Sequence, residues 1–239
     1  MGMHIWGRRM LSAAIVCAAA GAFVAAGGAA SGSTASSPLS GQSADQIATS
    51  AAASLKTATT VRVTGDLSSS GQTYDLDLTL VRAQGCAGTI GEAGTGSFKL
   101  IAIGDKVWIE PDQQFWEKAG GAGTAVLKQV SGKYLTVKAT SQLGSLDGFC
   151  KPGQLAGGFG GSMTGLVKGE TTTISGQPAL QIKDTGDSAS IFVSDTAKPE
   201  LLRISDGSQG TLDFSGYNSP VTLTAPPAAE TLSGAKYGF

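Results

Sequence analysis

The sequence predicts an α+β fold in which one helix precedes a large antiparallel sheet and a helical insert interrupts the strands. Three observations predict it. Apolar residues recur at four-residue spacing through residues 43–56, then at two-residue spacing from Thr60 onward. Short β-patterned runs are separated by Gly, Ser or Asp at hairpin length, which favours antiparallel pairing over parallel βαβ units. Between two sets of such runs, residues 111–161 lose the alternation.

The chain opens with Arg8 and Arg9 ahead of an uncharged stretch over residues 10–26 and a small-x-small site at Gly28-Ala29-Ala30, the pattern of a secretory signal. We expect residues 1–30 as a signal peptide, 31–41 as a flexible Gly/Ser/Ala tether, 42–227 as a single domain and 228–239 as a C-terminal tail. The alternative is an uncleaved anchor, but the stretch is rich in Ala where a membrane span needs about 20 strongly apolar residues. The protein is therefore expected outside the cell or in the envelope, on the outer face of the cytoplasmic membrane, peripheral or soluble rather than membrane-spanning. Cys17 lies inside the apolar stretch and lacks the preceding Leu-x-Gly/Ala of a lipoprotein signal.

Within the domain, Ser43-Ala44-Asp45-Gln46 reads as a capping box, and Ile47, Ala51 and Leu55 form one apolar stripe. Five strands are predicted over 60–67, 73–81, 88–92, 97–103 and 106–110. Gly71-Gln72 and Gly104-Asp105 supply two of the turns, since Gly takes positive φ without steric cost. Tyr74, Leu76, Leu78 and Leu80 alternate with Thr73, Asp75, Asp77 and Thr79, giving one apolar and one wet face. In the insert, Asp112 caps a turn carrying Phe115 and Trp116, Thr124 caps 125–130, and Leu143 with Leu146 marks another helical piece. Six strands follow over 166–174, 178–183, 188–193, 201–205, 211–214 and 221–225.

Composition limits the chemistry. The chain has 239 residues, 17 basic and 18 acidic, and its one histidine is His4, ahead of the export stretch. Removing the signal leaves no histidine, which excludes Ser/His/Asp and Cys/His machinery and histidine metal ligation. A net charge of −1 without basic clustering argues against nucleic-acid binding. No cofactor, metal ligand or catalytic group is expected. Asp75 and Asp77 lie on one strand face and read as its solvated side, with a carboxylate pair as the alternative. Ser162 has Gly neighbours but no Gly-x-Ser-x-Gly spacing, and Gly157-Gly158-Phe159-Gly160-Gly161 lacks the Lys-Ser/Thr of a phosphate loop.

Cys86 and Cys150 remain after export, and an even pair in an oxidising compartment reads as a disulfide; free buried thiols or a redox pair are the alternatives. Trp108, Phe115, Trp116, Tyr134, Phe149 and Phe159 concentrate in and around the insert. Such side chains facing a sheet either fill an ordinary core or line a cavity for an apolar ligand. Composition leaves both readings open.

The order of segments resembles the LppX/LprA/LprF/LprG family of actinobacterial envelope lipoproteins, whose fold is like that of the LolA/LolB carriers. The resemblance rests on the first helix running into Val61-Arg62-Val63-Thr64-Gly65, and on Gly104-Asp105-Lys106-Val107-Trp108-Ile109 followed by Phe115-Trp116. It continues through residues 173–182, Ile191-Phe192-Val193, 199–204 and the closing 221–227. The resemblance implies a curved antiparallel half-barrel with helices over its concave face and an apolar cavity between. It also implies a non-enzymatic role, sheltering an acyl-chain lipid or lipoglycan, with an envelope transport protein as a further partner. The cavity candidates are Tyr74, Leu76, Leu78, Trp108, Phe115, Trp116, Val126, Leu127, Leu143 and Phe149. The rival reading is a structural or interaction module with a filled core. A hydrolase using carboxylates alone is a third reading, which nothing in the acidic spacing predicts.

Overall fold

A computed structural model of the chain describes residues 37–69, 71–118, 121–138, 149–151, 165–186 and 188–237. The expected signal, most of the tether, Leu143 with its helical piece, the Gly-Gly-Phe-Gly-Gly run and Ser162 lie outside the described residues.

Helix α1 (Ala44–Thr57) begins where the sequence says: the Ser43 hydroxyl accepts from the Gln46 amide at 3.2 Å, and the Gln46 side chain accepts from the Ser43 amide at 2.8 Å. Its buried stripe is Ala44, Ile47, Ala51 and Leu55. Five strands follow as a meander: β1 (Thr60–Ser69), β2 (Gln72–Val81), β3 (Gly85–Glu92), β4 (Gly96–Ile103) and β5 (Lys106–Pro111). Gly71 and Gly104 occupy the expected turns with φ of +79° and +61°. Helices α2 (Gln113–Lys118) and α3 (Gly121–Val130) and strand β6 (Tyr134–Val137) form the described part of the insert. After it come β7 (Leu166–Ile174), β8 (Gln177–Asp184), β9 (Ser190–Ser194), β10 (Leu201–Asp206), β11 (Gly210–Ser215) and β12 (Thr231–Ser233).

The twelve strands among the described residues join one sheet in the order β12-β6-β5-β4-β3-β2-β1-β11-β10-β9-β8-β7, antiparallel except for the β12–β6 pair. The large antiparallel sheet with few helices is as expected. The half-barrel is not: the sheet is open, with β7 and β12 as its edges, and it is not strongly curled.

Side-chain alternation sorts the sheet into two faces. One register row runs Pro111, Phe98, Ile90, Leu76, Gly65, Leu212, Ile204, Ile191, Ile182 across nine strands. Most of these belong to the main core, which also takes in the α1 stripe, Trp116 and Val130. On this inner face α1 packs against β7, β9 and β10, and α2 packs against β4. The other face carries Arg62, Asp77, Lys99, Glu110, Arg203 and Asp213 in cross-strand ion pairs, with a small apolar group of Ile174, Ala179, Leu202 and Phe192.

The structure corrects three expectations. Residues 37–41, expected as tether, are docked: Leu39 is fully buried, and the Lys168 ammonium donates to the carbonyls of Leu39 and Ser40 at 2.8 and 3.0 Å. The expected last strand over 221–225 is exposed and outside the sheet, being flanked by Pro220, Pro226 and Pro227, which lack the amide a ladder needs. The tail instead supplies β12, which adds to β6, with Leu232 and Tyr237 packing on the core. Within the span expected as a helical insert, residues 134–137 form a strand, β6.

Candidate functional site

A cleft of about 1010 Å³ lies on the inner face between α1 and the sheet. Its helical wall is Ala48, Ala51, Ala52 and Leu55, spaced i, i+3, i+4, i+7 and therefore on one stripe. Three of these are alanines, so α1 spans the space without filling it. The sheet side comprises Val61, Leu80 and Ala102, which stand in one register row with Cys86, together with Ile191, Leu201 and Ile204. Gly85 starts β3 at the cleft with φ +140°, and a Cβ there would sit 1.9 Å from the Ala102 carbonyl oxygen. Only glycine lets β3 and β4 stay paired at this point.

Neighbouring groups fix the walls. The Tyr217 hydroxyl donates to the Leu201 carbonyl at 2.7 Å, and burial holds its pKa far above the usual phenol range. Cys150 lines the cleft and is bonded to Cys86, with Cα atoms 5.2 Å apart, so the expected disulfide is present. The preceding Phe149 meets Tyr74 with ring centroids 5.6 Å apart. Farther along the inner face Phe115 packs edge-on against Phe98 and Trp116, at 6.4 and 5.3 Å. Residues 149–150 thus connect the aromatic group to the cleft.

Asp112 positions that aromatic group. Its Oδ1 accepts from the Phe115 amide at 2.8 Å, capping α2 as expected, and its Oδ2 accepts from the amide and hydroxyl of Ser97. Burial alone would raise its pKa; the hydrogen bonds outweigh burial and hold it below the usual carboxylate range.

The sequence-predicted cavity residues are distributed over this face and beyond it. Leu76 and Leu78 are closed within the core, as is Trp116, while Tyr74, Phe115, Val126, Leu127 and Phe149 are half-buried against it. Trp108 alternates with the core residues Val107 and Ile109 and so faces the other side of the sheet. None of the described candidates lines the 1010 Å³ cleft. The residues that do were missed, although the Ala48, Ala51, Ala52 stripe was visible as an unusually small helix face.

On the wet face, Asp77 is held by Arg62 through bonds of 2.8 and 2.7 Å, and the Arg62 hydrogen bond, which outweighs burial, lowers its pKa. That is the opposite of the raised pKa a general acid needs. Among the described residues no group of three or more His, Cys, Asp or Glu is arranged to hold a metal, and no helix is long and apolar enough to cross a membrane.

The fold, a mostly antiparallel sheet with α1 and an insert on one face, has a solved counterpart in a mycobacterial protein. The chain is similar in structure to LprF from Mycobacterium bovis, at TM-score 0.50 and 14% identity over 77% of this chain and 96% of LprF. A second match is the Mycobacterium tuberculosis lipoprotein LppX, at TM-score 0.46 and 15% identity over 76% of this chain and 98% of LppX. No protein-family profile and no curated relative matches the sequence.

Proposed function

We propose that the protein is an exported, non-enzymatic lipid-binding or carrier protein of the cell envelope that holds the acyl chain of a lipid or lipoglycan between α1 and the sheet. The observation that carries this reading is the apolar cleft that the alanine stripe of α1 leaves unfilled. A chain entering it gains about 0.8 kcal/mol for each methylene removed from water, so affinity needs shape and apolar surface and no reacting group. The LprF fold and the resemblance of segment order to the envelope lipoproteins support the same reading. A longer chain would continue past Cys150 toward Phe149, Tyr74 and the Phe115–Trp116 group. An envelope transport protein is the partner such a carrier would hand its load to.

Native mass spectrometry of protein purified from its own envelope tests the reading, with organic extraction to identify any bound species. A co-purifying acyl lipid is expected. Neither bound lipid nor uptake of a fluorescent fatty-acyl probe would overturn it. The rival reading, an envelope interaction module without a lipid ligand, draws on the closed packing of Leu76 and Leu78, and the same null result would favour it.

A further inference from the structure

The mouth of the cleft carries charge of one sign. Lys56, Arg82 and Lys151 are among its lining residues, and no Asp or Glu is. The chain as a whole is balanced, with 17 basic and 18 acidic residues, so the single sign is local to the cleft. Among the described residues neither Lys56 nor Arg82 is in an ion pair, so these charges are not consumed in holding the fold.

Each cation is tied to the rim by a separate structural element. Lys56 sits in the last turn of α1. Arg82 opens the turn between β2 and β3, and its amide donates to the Thr59 carbonyl at 2.9 Å, which brings that turn against the connection leaving α1. Lys151 follows Cys150, which the disulfide fixes to β3. A lysine at a helix C-terminus is ordinary on its own, because it offsets the negative end of the helix dipole. That account does not extend to Arg82 on a β-turn or to Lys151 beside a disulfide.

Resting on the lipid-binding reading above, we infer that the cleft selects amphipaths with an anionic head group, a carboxylate or phosphate, seating the tail inside and the head between Lys56 and Arg82. At the rim the head keeps part of its hydration while accepting charge-assisted hydrogen bonds, and Arg82 offers the planar fork that suits carboxylate and phosphate. A neutral head leaves two cations unpaired, and a cationic head is repelled.

The test loads the lipid-stripped exported chain with N-phenyl-1-naphthylamine, a neutral apolar dye, and measures its displacement. Palmitate and hexadecyl phosphate are expected to displace it at concentrations about ten-fold or more below those needed with methyl palmitate or hexadecyltrimethylammonium. The gap should narrow as salt is added and collapse in the double variant Lys56→Gln/Arg82→Gln, displacement being read against each chain's own dye affinity. Equal displacement by palmitate and its methyl ester in the unaltered chain overturns the inference while dye uptake preserves the lipid-binding reading; that comparison stands whether or not the variant folds. A gap that persists in the folded double variant also overturns it. Displacement by acetate or inorganic phosphate alone would mark a free-anion site and overturn it as well. Failure of the dye to bind at all removes both readings.

Discussion

Cys86, in the register row that floors the cleft, is bonded to Cys150 at the far end of the insert, closing a loop of 64 positions between sheet and insert. Loop-closure entropy assigns such a bridge about 4 kcal/mol at most, because the reduced unfolded chain gains freedom that the oxidised one lacks. For a domain of this size that corresponds to a fall of about 10 °C in Tm on reduction. Thermal melts followed by circular dichroism, with and without a phosphine reductant, read it directly, and the double Ser variant should match the reduced protein. An unchanged Tm would mean that the bridge does not restrict the unfolded chain as loop-closure entropy requires.

Leu39 is fully buried although only a few described residues precede it, and Lys168 of the edge strand β7 holds the adjacent carbonyls. Leu39→Ala is expected to cost about 2 kcal/mol or more, the usual range for an apolar side chain removed from a core. A chain starting at residue 42 should be destabilised at least as much, while one starting at residue 31 should not. Urea midpoints of the three chains check this. Equal midpoints for the starts at 31 and 42 would return the whole segment to the status of a tether.

Acid stability follows from carboxylates held below their usual range, Asp206 and Asp112 in addition to the Arg62-paired Asp77. Hydrogen bonds from the amide and hydroxyl of Ser208 hold Asp206 below the usual range, and those from Phe115 and Ser97 do the same for Asp112 against the opposing effect of burial. These folded pKa values are lower than the unfolded ones, so their stabilisation is complete above the ordinary carboxylate pKa of about 4 and disappears as pH falls through the folded values. Glu200, raised by burial, works in the opposite direction. Net loss of stability is therefore expected below about pH 4, and Asp206→Asn should flatten the profile. Urea unfolding across that pH range measures it, and an unchanged slope in the variant would exclude Asp206 as a source.

Much of the fold was legible because its signals are local. The capping box of α1, the Asp112 cap of α2 and the leucine alternation of β2 each lie within a few residues of sequence, and each is found where expected. The β6–β12 pair was not legible: β6 is four residues long, and β12 is defined by parallel pairing with a strand about a hundred residues earlier. Residues 221–225 show the converse, a β-patterned run whose flanking prolines keep it out of the ladder. Curvature of the sheet was inferred from resemblance alone, and no local residue pattern encodes it. The cleft escaped for a different reason. Large apolar side chains drew the candidate list, but those at Leu76, Leu78 and Trp116 close the core, whereas a void is made by the small side chains of Ala48, Ala51 and Ala52.

That origin of the cleft gives a substitution that separates binding from folding. Ala48 lines the cleft and is half-buried, so a larger side chain there projects into space that the folded protein leaves open rather than into packed core. Ala48→Trp is expected to occupy the volume that an acyl chain would use. Tm should shift by only a few degrees, because overpacking costs arise where neighbours must move, and here few need to. Binding of the dye and of palmitate should fall by about ten-fold or more, the equivalent of roughly two buried methylenes excluded. Leu78→Ala supplies the contrast, since Leu78 is fully buried in the core and does not line the cleft. It should lose about 2 to 5 kcal/mol of stability while its folded fraction still binds the probe. If Ala48→Trp binds the probe as well as the unaltered chain does, the acyl chain does not lie between α1 and the sheet.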